Sequence, residues 1–204
     1  MIDQQAFDVM PRVYQTSIDT ELMGTVVKIQ DSQRFLEVGC GCGAVSLRLA
    51  RRSKSGVGVD INPDAIANSI HNANRLGINN VSFVESDVFE TVRGRFHVIV
   101  CNPPYNNSEP ADNVDRMFWD PNDEMKRRFF AEVRGHLLSE GRVYFGWADF
   151  ADLNPALPLA WARDAGLRYL RHYSALAPSG SQTFYVIVFG SSAGLVGDGD
   201  GARW

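Results

Sequence analysis

Cysteine is scarce in this chain, long apolar runs are missing, and basic charge is not in excess. Three cysteines, Cys40, Cys42 and Cys101, stand among 204 residues, too few for the disulfide framework of a small secreted domain. Cys40 and Cys42 have no cysteine or histidine at ligand spacing, which argues against a zinc site, so no metal is expected. No stretch approaches the roughly 18 consecutive apolar residues of a membrane span. The opening Met1-Ile2-Asp3-Gln4-Gln5 lacks the basic-then-apolar order of a secretory signal. A cytoplasmic location without a membrane partner is therefore expected. The formal net charge of −4 argues against a strong non-specific grip on nucleic acid, which needs several cations on phosphates. Two basic groups, Arg48, Arg51, Arg52 and Lys54, then Lys126, Arg127 and Arg128, read as solvated helix faces. His71, His97, His136 and His172 are scattered and form no triad.

What is present is an alternation of short apolar runs with helical patterns, the signature of a parallel sheet packed between helices. A length of 204 residues suits one domain, since single cores stop growing above about 250 residues. Leu22, Val26 and Ile29 recur at i, i+4 and i+7, predicting a helix over 19–29 that Asp19 or Thr20 can cap. Strands are predicted at 34–38, 56–59, 81–85 and 96–100, with helices at 44–52 and 63–76. Asn62-Pro63 reads as an N-cap with proline in the first helical position, and Gly77 as the stop. A helix at 124–138, a strand at 142–145, a short helix at 159–165 and strands at 167–176 and 183–189 complete the pattern. The expected fold is α/β: a three-layer sandwich around a seven-stranded, mostly parallel sheet whose last strand is reversed. Residues 1–190 form the domain, and the Gly- and Asp-rich 191–204 read as a flexible tail. The connection 106–123 is too long for an ordinary loop, and such loops are usually functional.

Two turns carry the chemistry. Glu37-Val38-Gly39-Cys40-Gly41-Cys42-Gly43-Ala44 joins the first strand to the next helix, where glycines let backbone approach a ligand closely. Asp60 closes the second strand, placed to accept hydrogen bonds from ribose hydroxyls at the carboxyl edge of the sheet. Gly39, Gly41, Ala44 and Asp60 also satisfy the dinucleotide pattern, so a nicotinamide oxidoreductase is a rival reading. Glu37 inside the strand suits a ligand with an ammonium group, and Asp87 after the third strand adds another acid. The second turn, Asn102-Pro103-Pro104-Tyr105, ends the apolar strand before it. Chance would place this tetrapeptide in roughly one chain per thousand of this length. Asn102 Oδ1 and the Pro103 carbonyl can each accept one N–H of a planar nitrogen, the prolines fix the carbonyl direction, and Tyr105 offers a flat face. Such a turn has no evident task in hydride transfer.

Together these residues resemble class I S-adenosylmethionine-dependent methyltransferases. The resemblance implies S-adenosylmethionine as cofactor. It gives the methionine portion to Glu37, Gly39, Cys40, Gly41 and Gly43, the ribose to Asp60 with Ile61, and the adenine to Asp87 with Val88. Asn102-Pro103-Pro104-Tyr105 resembles the signature of enzymes that methylate amide or exocyclic amine nitrogens. It implies Asn102, Pro103 and Tyr105 as catalytic residues, Asn102 also touching the cofactor, and Pro104 and Tyr105 touching the acceptor. The segment from Val13 to Leu22 resembles the cofactor-covering segment of the compact HemK-like branch, which methylates glutamine in translation release factors. That adds Tyr14 and Thr20 to the cofactor contacts and makes 1–30 a covering segment. Phe118 and Trp119, in the long loop, are candidates to cap the acceptor. The expected enzyme is an N-methyltransferase acting on a protein glutamine. The alternatives are a small-molecule amine or amide, a nucleic-acid amine as the less favoured acceptor, or a cofactor-binding subunit that needs a partner subunit.

Overall fold

A computed structural model describes residues 7–112, 115–151 and 156–191; the expected tail beyond Ser191 lies outside the described residues. The element order is α1 (Ile18–Val26), β1 (Arg34–Val38), α2 (Ala44–Ala50), β2 (Ser55–Asp60), α3 (Pro63–Arg75), β3 (Val81–Glu85) and β4 (Phe96–Cys101). Then follow α4 (Glu124–His136), β5 (Leu137–Ala148), α5 (Leu157–Asp164), β6 (Leu167–Leu176) and β7 (Thr183–Ser191). One seven-stranded sheet runs β3-β2-β1-β4-β5-β7-β6. β7 is antiparallel to both neighbours, whereas the β1 to β5 pairings are parallel. This is the expected sheet with its reversed last strand.

Strand alternation builds the two outer layers. In β4, Val98 and Val100 join the cluster of Met23, Phe35, Val45 and Leu49 beneath α1 and α2. Ile99 and Cys101 point the other way, into the cluster of Phe129, Phe130, Val133 and Phe145 beneath α4. Helix α3 begins as expected: the Asn62 side chain accepts the Asp64 N–H at 3.0 Å, and Pro63 occupies the first turn. Its buried Asn68 and Asn72 hold the chain at Asp8 and Met10, and Asn62 holds the Arg12 carbonyl at 2.8 Å. The chain leading to Tyr14 is thereby strapped along α3, from Asn72 back to Asn62.

Two expectations change. Helix α1 starts at Ile18 after Ser17, whose N–H donates to the Thr20 hydroxyl, so Asp19 is left for another task. Helix α4 passes straight into β5 at Leu137, five residues before the predicted strand. The register slips there: Phe96 pairs with Leu137, but Val98 pairs with Arg142. Gly141 is the floor on which Leu137 packs; a Cβ there would stand 2.6 Å from Leu137 Cδ1.

Candidate active site

β2 leaves β1 on one side and β4 pairs on the other, so the chain reverses its direction of winding between β1 and β4. Open α/β sheets hold ligands outside the strand carboxyl ends at such a point. A cavity of about 330 Å³ opens there. Of the residues singled out from sequence, sixteen line it: Tyr14, Thr20, Glu37, Gly39, Cys40, Gly41, Asp60, Ile61, Asp87, Val88, Asn102, Pro103, Pro104, Tyr105, Phe118 and Trp119.

Gly43, the remaining residue of the expected cofactor set, is not among the lining residues. Its φ is +82°, and a Cβ there would stand 3.0 Å from Ser69 Oγ and 3.2 Å from Phe83 Cζ. Gly43 lets the turn lie against α3 and β3. Gly41 differs: φ is +54° and a Cβ would meet nothing within 4 Å, so this position is open space beside the cavity.

Glu37 is 2% exposed. Its Oε2 accepts the Ser46 hydroxyl, and no described cation pairs with it. Burial pushes its carboxyl up to about 8; the Ser46 bonds pull it down, and the nearby Asp60 charge adds to the rise. A buried carboxyl at a cavity wall without a cation is a seat for one, since a bound positive charge would offset its desolvation. Asp60 accepts the Gly41 N–H at 2.9 Å and the Asn62 N–H at 3.0 Å. Burial raises its carboxyl above the ordinary value, against the pull of those backbone bonds. Cys40 and Cys42 are buried thiols, Cys40 pushed well up by burial and Cys42 to about 11, so both are inert fillers of the turn. Asp87 pairs with Arg128 at 2.7 Å on the rim, next to buried Val88 at φ 53°.

The Asn-Pro-Pro-Tyr turn is held by a residue read from sequence only as a helix cap. Asp19, 3% exposed, accepts Asn102 Nδ2 at 2.8 Å, the Tyr14 hydroxyl at 3.1 Å and the Tyr105 hydroxyl at 3.3 Å on one oxygen. Its other oxygen takes the Thr20 N–H at 2.7 Å. The Tyr105 hydroxyl shares its one proton between Asp19 and, at the shorter distance of 2.6 Å, Asn102 Oδ1. The Asn102 amide is thus fixed at both ends: donor to Asp19, acceptor from Tyr105. Burial and the Asp19 charge raise the Tyr105 hydroxyl well above its ordinary value, so it stays a donor. Gly146 makes room: a Cβ there would stand 2.3 Å from Asn102 Oδ1. Nothing in the sequence marked Gly146, because its partner is one strand away.

The long connection forms the outer wall. Asn106 bridges to Trp119, and the Asp120 N–H bonds the Asn106 carbonyl at 2.9 Å. Met117, Phe118 and Trp119 thereby reach the cavity, and Phe118 meets Tyr14 edge-on at 5.9 Å. Lys126, expected on a solvated face, is instead fully buried. Its ammonium donates to the Pro104 carbonyl at 3.0 Å and pairs with Asp120 at 2.8 Å and Asp123 at 3.1 Å. Among the described residues no group of three or more His, Cys, Asp and Glu side chains could hold a metal ion.

The family model for the methyltransferase small domain matches residues 14–161. The chain belongs to that family. The nicotinamide reading falls with that membership. The chain is 40% identical over 106 residues to a protein of Methanocaldococcus jannaschii assigned as a protein N5-glutamine methyltransferase; the match covers 52% of this chain and 53% of that protein. It is 42% identical over 91 residues to the release factor glutamine methyltransferase of Yersinia pestis, covering 43% of this chain and 33% of the relative. The matched part is thus about half or a third of those proteins' length. Among solved structures, the ribosomal protein L11 methylase of Lactobacillus delbrueckii subsp. bulgaricus superposes with a TM-score of 0.63 at 16% identity, over 85% of this chain and 77% of that one. That likeness shows the fold. No helix among the described residues is long and apolar enough to cross a membrane.

Proposed function

We propose that the protein transfers a methyl group from S-adenosylmethionine to a planar nitrogen, the side-chain amide of a protein glutamine. The observation that carries this reading is the Asn102 amide, held between Asp19 and Tyr105 at the cavity wall. Glutamine methyltransferases among the relatives support the amide as acceptor. When bound, the cofactor supplies an electrophilic methyl group on a cationic sulfur. Glu37 receives the ammonium of its methionine portion, Gly39 and Gly41 let it approach the backbone, and Asp60 takes the ribose hydroxyls. Asp87 and Val88 border the adenine, while Tyr14 and Thr20 cover it from the amino-terminal strap.

An amide nitrogen is a poor nucleophile because its lone pair is delocalised into the carbonyl. Asn102 Oδ1 has two lone pairs; the Tyr105 hydroxyl takes one, leaving the other for an acceptor N–H. The Pro103 carbonyl, with no hydrogen-bond partner among the described residues, takes the second N–H. Both stabilise positive charge growing on that nitrogen, which loses its proton to water afterwards, so no general base is needed. Orientation of the nitrogen for in-line displacement can supply roughly 7–11 kcal/mol. Phe118 and Trp119 close over the acceptor chain. Three buried free cysteines suit a reducing compartment such as the cytoplasm.

The test supplies methyl-labelled S-adenosylmethionine to the pure protein with separated protein, RNA and small-molecule pools, with Asn102→Ala as control. Label entering the protein pool, on glutamine by mass spectrometry and only with the wild type, is the expected outcome. Label confined to RNA or small molecules would replace the glutamine reading, and equal labelling by Asn102→Ala would overturn the mechanism.

A further inference from the structure

A second concavity, about 1050 Å³, lies at the other end of the sheet, by the amino ends of β4 and β5 and the carboxyl end of β7. Lys28, Arg142, Arg168 and Arg171 line it, with Glu140 as its acid. All four cations are exposed, and none forms an ion pair among the described residues.

The strand register gathers this charge. Arg142 and Arg168 both pair with Gly190, so they stand in one row on one face, about 10 Å apart across two strand spacings. Arg168 and Arg171 are three residues apart, which in a regular strand would put them on opposite faces. The register shifts between Tyr169 and Arg171, and this bulge turns Arg171 back to the face of Arg168. There it pairs with Val188, as Tyr144 does from the other side. A protein of net charge −4 thus carries a concave site where four cations gather without ion-pair partners among the described residues.

We propose that this groove binds the phosphate backbone of single-stranded RNA. The cations lie along a channel with mostly polar walls, lined also by the half-buried Tyr173 and His97; a cationic groove that tracks the backbone is what holds single strands without reading their sequence. A flat lipid surface would reach only the rim of such a concavity. Val98 in the groove and Asn102 in the cavity are separated along β4 by roughly 13 Å, so RNA held here leaves the catalytic edge clear. The enzyme would then be docked on RNA while it modifies a protein acceptor nearby. The net charge read from sequence hid this patch, because acids elsewhere outnumber it.

The probe is a fluorescein-labelled oligouridylate of about twelve nucleotides, followed by anisotropy over a salt series. Each phosphate contact contributes about −0.7 to the log–log salt slope for a single strand. Four cations then give about −2.8, and Arg168→Glu/Arg171→Glu should give about −1.4 with affinity at least about tenfold weaker at low salt. S-adenosylmethionine affinity, read by calorimetry, stays unchanged in the double variant and reports that the fold is intact. Were it lost, Lys28→Glu and Arg142→Glu, each expected to lower the slope by about 0.7, would repeat the test. No binding at low salt, or the same slope and affinity in the variants, overturns the proposal. Displacement of the RNA by poly-glutamate at equal charge would assign the groove to an acidic protein and overturn it as well.

Discussion

Five hydrogen-bond donors converge on Asp19: Tyr14, Asn102 and Tyr105 through their side chains, and Thr20 through both its N–H and its hydroxyl. In Asp19→Ala the Asn102 amide loses the partner that fixes its orientation, and buried donors left unpaired cost about 1–3 kcal/mol each. Turnover should fall roughly tenfold to a hundredfold, the scale of a misplaced reacting group. Cofactor affinity, measured by calorimetry, should fall less than turnover, because Glu37, Asp60 and the glycine turn are untouched while Tyr14 and Thr20, which cover the cofactor, lose a partner. Undiminished single-turnover labelling by the variant would remove Asp19 from the mechanism. Asn102, Glu37 and Asp60 were legible in sequence because each is tied to a local turn or strand end. Asp19 and Gly146 were not, since their roles exist only once α1 and β5 are brought against the Asn-Pro-Pro-Tyr turn.

Lys126 ties the start of α4 to the end of the Asn-Pro-Pro-Tyr turn. Its ammonium joins Asp120 and Asp123 beneath the Pro104 carbonyl, with all three side chains buried. Asn122 and Asp123 both sit at positive φ, 55° and 56°, a conformation costly for residues other than glycine. Removing one partner of a buried ionic cluster typically costs about 3–5 kcal/mol. Lys126→Met should therefore lower Tm by roughly 10 °C, read by calorimetry. Adding Asp123→Asn should recover part of that, since asparagine tolerates the left-handed conformation and the one carboxylate left, Asp120, keeps the Met125 and Lys126 N–H groups. A double variant no more stable than Lys126→Met would show that the Asp123 charge is not what holds the segment. Elements with local punctuation were readable: β1 and β3 fall on their predicted bounds, and Asn62-Pro63 starts α3. The α4–β5 junction was not, because no turn residue separates them and Gly141 serves a register slip set by β4.

Among the described residues the sheet is polarised, carboxylates gathered at its carboxyl end and cations without ion pairs at the other. The carboxyl end makes stability and cofactor binding depend on pH in opposite senses. Glu37 holds its proton to about pH 8 in the folded chain, against an ordinary value of 4.5. Below that ordinary value it is protonated in both states, and its contribution to stability is fully present. As pH rises towards 8 the unfolded chain has lost the proton while the folded chain keeps it, so stability falls by up to about 1.4 kcal/mol per pH unit. A cationic ligand needs the carboxylate, so its affinity should rise by up to about tenfold per unit between pH 6 and pH 7.5. Binding at pH 7 should also release a proton, visible as a calorimetric heat that scales with buffer ionisation enthalpy. Glu37→Gln carries no titrating proton there: its Tm should vary less over that range, and its weaker cofactor affinity should lose this slope. A wild-type protein whose proton release matched that of Glu37→Gln would place the cation elsewhere in the cavity and leave Glu37 a buried partner of Ser46 alone.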